Sequence, residues 1–265
     1  MRLMLVVAGV LVFSVGITLN VLTTQTDRFF AWTIATPMTA AFLGAAYWSS
    51  CLLELLAARE RLWVRARIAV PAVLLFTLLT LIVTLLHLDK FHMASPEMIT
   101  RLGTWFWLFV YASVPIVMGA LWLMQLRVRG SDPPRNNPPP QWMRVGLTLQ
   151  AAILIPFGIA LLFVPEAIAP YWPWTLTALT GRAIGAWLLA IGVAAAQSVW
   201  ENDLERVRIA TISYAVFGLL ELIALARFAS DVNWASVSAW LYLFLLLGLC
   251  VIGFASWRAA RQIQN

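Results

Sequence analysis

Long apolar runs separated by short polar stretches dominate the chain. Eight of them, approximately 3–22, 37–57, 68–88, 103–125, 143–164, 177–199, 208–227 and 236–256, each reach the length of about 20 mostly apolar residues that a helix needs to cross the hydrocarbon core of a bilayer. In lipid the backbone must satisfy its own hydrogen bonds, so apolar runs of this length predict helices. The predicted fold is an all-α, polytopic membrane bundle of eight transmembrane helices.

The pattern also repeats. With an offset of 141 residues, 36–82 lies on 177–223 without a gap, matching Gly44 with Gly185, Glu60 with Glu201, Arg65 with Arg206 and Arg67 with Arg208. Apolar matches arise by chance between membrane helices; a Glu, an Arg and a second Arg in one register are much harder to obtain that way. Flanking segments extend the likeness. Gly16-Ile17-Thr18-Leu19 resembles Gly158-Ile159-Ala160-Leu161 at an offset of 142, and Trp105-Phe106-Trp107-Leu108-Phe109 resembles Trp240-Leu241-Tyr242-Leu243-Phe244 at 135. The reading is two parallel four-helix repeats, 1–126 and 142–265, joined by a Pro-rich linker over 127–141. That linker holds Gly130, Pro133, Pro134 and the run Pro138-Pro139-Pro140, so it is expected to be a partly extended tether.

Charge sets the orientation. Charged residues are 11% of the chain against 62% hydrophobic, far from the roughly 25% charged residues of soluble domains. The net charge of +6 is carried in short loops by arginine, with Lys90 the one lysine, so the positives read as topology determinants and no nucleic-acid partner is expected. Thirteen, from Arg2 through Arg59, Arg127 and Arg206 to Arg261, fall on one side; Arg28, Lys90, Arg101, Arg182 and Arg227 fall on the other. Both termini are therefore expected to face the cytoplasm, with the repeats related by an axis along the membrane normal. The N-terminal apolar run has no clear small-residue cleavage site after it and is read as a retained first helix. Cys51 and Cys250 lie within apolar runs and give neither a disulfide framework nor a metal motif.

Two loops on the outer side are unusually aromatic: Phe29-Phe30-Ala31-Trp32-Thr33-Ile34 and Tyr171-Trp172-Pro173-Trp174-Thr175-Leu176. Each leads to a threonine, Thr36 before Pro37 and Thr177, placed as a helix N-cap. The plain reading is a pair of interfacial anchors; the sharper one makes Trp32 and Trp174 part of an aromatic collar around a ligand cavity. The second loop, with Pro165-Glu166, Ala169 to Thr177 and Thr180-Gly181-Arg182-Ala183-Ile184-Gly185-Ala186-Trp187, resembles a pattern in uncharacterised bacterial multi-spanning integral membrane proteins, as do Arg206 to Arg227 and the Trp240 region. The resemblance implies a bacterial cytoplasmic membrane location and carries no activity to transfer.

Ionisable residues that break the repeat are the chemical candidates. Arg182 stands where the first half has Ala41, and Glu221 where it has Thr80. At about 1.5 Å per residue both lie roughly 8–10 Å below the outer surface, on consecutive helices, so an ion pair between them is geometrically available. Either they form a structural pair, with Arg227 at its edge, or Glu221 binds a proton or cationic ligand in a cavity. Glu54, close to the end of its run and to Arg59, is read as snorkelling to the interface. His87, Asp89 and His92 are weak metal candidates, because their spacing does not put the histidines on one helical face. No phosphate-cradling loop, nucleophile elbow or His-Glu-x-x-His pair occurs, and no cofactor follows from the sequence. The leading expectation is a small-molecule or lipid permease or binding protein, with an outward-facing cavity at the seam between repeats holding Glu221 and Arg182. The alternatives are a noncatalytic scaffold or accessory subunit with a membrane-protein partner, and, third, a membrane enzyme acting at the outer face.

Overall fold

The structure, a computed structural model, describes residues 1–264. Eight long helices carry the chain: α1 (Arg2–Val21), α2 (Pro37–Arg59), α3 (Ala69–Leu86), α4 (Met98–Leu126), α5 (Gln141–Phe163), α6 (Ala178–Glu201), α7 (Leu204–Arg227) and α8 (Val237–Gln264). All eight are long and apolar enough to cross a membrane, and the protein is an all-α polytopic bundle. Single helical turns lie in the connections, and among the described residues the one strand-like contact is an isolated bridge between Trp32 and Phe91. The side chain of Arg261 lies outside the described residues.

Helices that follow one another do not all pack together. α1 packs on α2, α3 on α4, α5 on α6 and α7 on α8, while the remaining large contacts run from α2 to α7 and from α3 to α6. Exchanging α1–α4 with α5–α8 carries this set of pairings into itself. The inner four helices are thus α2, α3, α6 and α7, with α2 the most deeply buried of the eight. The outer four keep faces of exposed apolar side chains, such as Val10, Phe109, Ile153 and Phe244, which suit lipid and no aqueous surface.

Close helix approach explains two of the glycines. A Cβ on Gly44 would stand 2.8 Å from the Asn20 backbone nitrogen of α1, and one on Gly185 would stand 2.8 Å from the Gly158 carbonyl oxygen of α5. Without water to drive association, membrane helices gain from such contact, and only glycine permits it here.

Helix starts are held in different ways. Thr177 caps α6 in a reciprocal capping box with Thr180, the Thr177 Oγ1 accepting from the Thr180 amide at 3.2 Å. Thr36, expected to cap α2, does not: its hydroxyl donates to the Thr175 carbonyl at 3.1 Å, and Asp231 takes its place by accepting from the Met38 amide at 3.0 Å. The loop after α7 thereby caps α2.

The arginine-rich end is closed by ion pairs across the two halves. Arg67 binds Glu201, Arg208 binds Glu60 and Arg65 binds Glu205, while within the second half Arg206 also reaches Glu201. The Pro-rich segment 129–140 forms neither helix nor strand, and it is not a free tether. Asn137 accepts from the Leu204 amide at 2.7 Å and donates to Asp203 Oδ2 at 3.1 Å, Asp132 pairs with Arg67 at 2.6 Å, and the Pro133 carbonyl accepts from Arg206. Arg135 lies over the Trp200 ring at 5.4 Å. The linker is a strap across the α6–α7 turn.

Candidate functional site: a polar interior seam and two outer grooves

Glu221 and Arg182 are not partners. Glu221 is fully buried; its Oε2 accepts from the Tyr242 hydroxyl of α8 at 2.7 Å, and its Oε1 has no hydrogen-bond partner. Arg182 donates through Nε to the Leu162 carbonyl of α5 and through Nη1 to His87 Nε2 at the end of α3, both at 3.0 Å. The physical reason is helix adjacency: α6 lies mainly against α5 and α3, and α7 against α8 and α2, so equal depth does not bring the two side chains together. Arg227, placed at the edge of that pair by sequence, instead donates to the Asn20 carbonyl of α1 at 2.8 Å.

The histidine cluster disperses in the same way. His87 accepts from Arg182; partial burial and that guanidinium charge hold its imidazole below the usual histidine range. His92 donates from Nδ1 to the Phe30 carbonyl and accepts at Nε2 from Thr33, both at 3.0 Å, while Asp89 pairs with Lys90 at 3.0 Å. Among the described residues no group of three or more His, Cys, Asp or Glu is placed to hold a metal ion.

The tryptophans of the aromatic loops turn into the protein interior, while Phe29 and Tyr171 stay exposed. Trp32 and Trp174 are 4% and 3% exposed. Trp32 packs against Phe30, Phe91 and Trp107 with ring centroids 4.4–5.2 Å apart, and Trp174 Nε1 donates to Thr39 Oγ1 of α2 at 2.9 Å. Beside each loop opens a lateral apolar groove. One, of about 500 Å³, lies between α5 and α8 under Tyr171 and Trp172; the other, of about 420 Å³, lies between α1 and α4 under Phe29 and Phe30.

The walls of the two grooves correspond residue by residue. At the flanking offset of 142, Leu11 matches Ile153, Val15 matches Phe157, Phe29 matches Tyr171 and Phe30 matches Trp172; at 135, Phe106 matches Leu241, Trp107 matches Tyr242 and Val110 matches Leu245. Each groove also has, at corresponding positions of α4 and α8, an aromatic side chain that donates a hydrogen bond to a neighbouring inner helix. Trp107 Nε1 donates to Thr84 of α3 at 3.1 Å, and Tyr242 donates to Glu221 of α7. A thin apolar chain fits such a slot, which offers much hydrophobic surface and few polar groups.

A smaller cavity of about 50 Å³ lies among the four inner helices. Twelve of its thirteen lining residues form six pairs at the 141 offset: Ser49/Ala190, Ser50/Ile191, Leu53/Ala194, Ala72/Ser213, Val73/Tyr214 and Phe76/Phe217. Wherever a pair mixes polar with apolar, the polar member is on α2 or α7. Glu54 belongs to this seam. It is 1% exposed, Oε1 accepts from the Ser50 hydroxyl at 3.1 Å, and Oε2 has no partner, so the snorkelling expectation is overturned. Its counterpart at the 141 offset is Ala195, so the criterion that singled out Glu221 also marks Glu54. α2 is the most deeply buried helix, and its packing covers this side chain although the helix end is only five residues away. No family model matches the chain, and neither does any curated protein or solved structure.

Proposed function

We propose that the protein is a lipid-binding protein of a bacterial cytoplasmic membrane, which takes acyl chains of outer-leaflet lipids into the two lateral grooves. One observation carries the reading: the groove is built twice, from corresponding residues of the two halves, with an aromatic donor in corresponding position in each. The flanking faces of α5 and α8 expose Ile153, Leu241 and Phe244, so the bilayer itself is what reaches the slot. On this reading the halves derive from a duplicated four-helix unit, the arginine-rich end faces the cytoplasm, and the grooves open at outer-leaflet depth. Ser236 and Ser238 at the mouth of the α5–α8 groove suit the ester and glycerol oxygens of a lipid.

The reading is tested with the full chain in nanodiscs containing a phospholipid whose acyl tail carries a photoreactive group. Crosslinks are expected to concentrate on Ile153, Phe157, Leu241 and Leu245 and on their counterparts between α1 and α4. Leu241→Trp should deplete them in its own groove only. Crosslinks spread evenly over the exposed faces of the outer helices, unchanged by that substitution, would overturn it. A second reading, a noncatalytic scaffold, draws on the strapped arginine-rich end, where the linker and ion pairs tie both halves into one rigid surface.

A further inference from the structure

Polarity on the inner seam is one-sided, and shape does not demand it. Ser49, Ser50 and Glu54 of α2 correspond to Ala190, Ile191 and Ala195 of α6, and Ser213 of α7 corresponds to Ala72 of α3. The same helix positions are thus filled by apolar residues in the other half. Packing alone is served by those residues, and polar atoms in an apolar interior cost free energy unless they are bonded. Two of them are not: Glu54 Oε2 and Ser213 Oγ are buried without a partner, in residues 1% and 5% exposed. Both orphans lie on the packed α2–α7 pair, and Ser213 lines the central cavity, as does Ser50, which holds the other Glu54 oxygen.

We propose that Glu54, with Ser50, Ser213 and the central cavity, forms a proton-binding site. The carboxyl group holds a proton on Oε2 while the seam is dry and exchanges it with water entering the cavity. Loading moves H⁺ from a hydronium ion to Oε2, leaving water; unloading returns it to water. A cavity of about 50 Å³ has room for a water molecule, whose share of liquid volume is about 30 Å³, and the hydroxyls of Ser49, Ser50 and Ser213 give it polar partners. Among the described residues no basic side chain forms an ion pair with Glu54. Cys51 of its own helix and Tyr111 of α4 interact electrostatically with it, and neither is a cation. A carboxyl so placed in a membrane protein has the setting of a proton relay. Glu54 lies five residues from the end of α2, about 7.5 Å along the axis, so exchange from the arginine-rich end is the short route.

The test is infrared spectroscopy of the full chain in nanodiscs across a pH series in the absence of sodium, following the C=O stretch of neutral carboxylic acid. Wild type is expected to keep this band at neutral pH and to lose part of it as pH rises; Glu54→Gln removes that part, and Glu221→Gln leaves it. Ser50→Ala, which keeps the carboxyl, should shift the frequency of the Glu54 component. Ser213→Ala should slow its hydrogen–deuterium exchange. A band unchanged by Glu54→Gln and Ser50→Ala alike means Glu54 is ionised throughout and overturns the proposal. Loss of the Glu54 component on adding Na⁺ but not a bulky organic cation at fixed pH makes the pocket a sodium site and overturns it equally.

Discussion

Arg67 grips Glu201 with both arms of its guanidinium, Nε 2.6 Å from Oε1 and Nη2 2.9 Å from Oε2, and so fastens the α2–α3 connection to the end of α6. The counterpart of this bond at the 141 offset is Arg208 to Glu60, at 3.0 Å. The two are alike in register and unlike in burial. The Glu201 side chain is fully buried and also receives Arg206 at 3.1 Å, whereas the Arg208 side chain is a third exposed.

That difference predicts unequal costs. Glu201→Gln leaves buried Arg206 with no carboxylate nearer than Asp132 at 4.0 Å and half-buried Arg67 with Asp132 alone, and removing one partner of a buried pair costs about 3–5 kcal/mol. Glu60→Gln leaves a partner that water reaches, and such pairs are worth at most about 1 kcal/mol. Unfolding of the purified variants in detergent, followed by helical signal, measures both. Equal losses would show that the corresponding register, and not burial, governs their energetics.

Helix contact at the glycines gives a second expectation. Gly185→Ala forces a methyl group against the Gly158 carbonyl, and Gly44→Ala forces one against the Asn20 amide; overpacking of this kind costs about 1–3 kcal/mol. Gly103→Ala meets nothing within 4 Å and serves as the control. Unfolding midpoints should fall for the first two and not for the third.

Tyr242→Phe removes the one hydrogen bond to Glu221 and leaves both carboxyl oxygens unpartnered in the interior. A buried polar group stripped of its partner costs about 1–3 kcal/mol, so stability should drop although the ring still fills its place. Glu221→Leu together with Tyr242→Phe should recover part of that loss, because no orphaned carboxyl remains. A double variant less stable than Tyr242→Phe alone would mean the carboxyl has another role in holding the fold.

The His87–Arg182 contact makes stability depend on pH. His87 titrates below the usual histidine value of about 6.5 in the folded chain, so between that value and the lowered one the unfolded chain binds a proton that the folded chain does not. Its contribution is present above the ordinary histidine range and is lost as pH falls through the lowered folded value, where a protonated ring faces Arg182. Thermal midpoints at a series of pH values should fall more steeply on the acid side for wild type than for His87→Gln. Parallel curves would show that the contact carries no pH dependence.

The strap should also be measurable. Asp203 caps α7 by accepting from the Glu205 and Arg206 amides and also holds Asn137, so Asp203→Ala should cost about 0.5–2 kcal/mol for the cap and loosen the linker. Limited proteolysis within 132–137 should be slow in wild type and faster in the variant. Equal rates would mean that Asp132 and Arg206 hold the strap unaided.

The eight long apolar helices were legible in the sequence, because a run of about 20 apolar residues is a one-dimensional property. Neighbourhood was not. Arg182 and Glu221 lie at similar distances from their helix ends but sit on helices that face different partners, and nothing in either segment announces that α7 lies against α2. The tryptophans misled for a related reason. An aromatic run beside a span has the composition of an interfacial belt, but Thr26 bonded to Ile34 and His92 bonded to Phe30 fold the first loop inward. Glu54 was misjudged by its distance from Arg59 along the chain, which says how near the helix end is and not whether that end is covered.

The pairing of α2 with α7 also dictates what the growing chain must endure. From the emergence of Arg59 to that of Arg227 the ribosome adds a further 168 residues, which at about 5–20 residues per second takes roughly ten to thirty seconds. Throughout that interval α2 waits in the bilayer with Ser49, Ser50 and Glu54 on a face whose permanent neighbour does not yet exist. Insertion must therefore be completed through a temporary companion or with α2 held back at the insertion machinery, and a helix made late releases one made early.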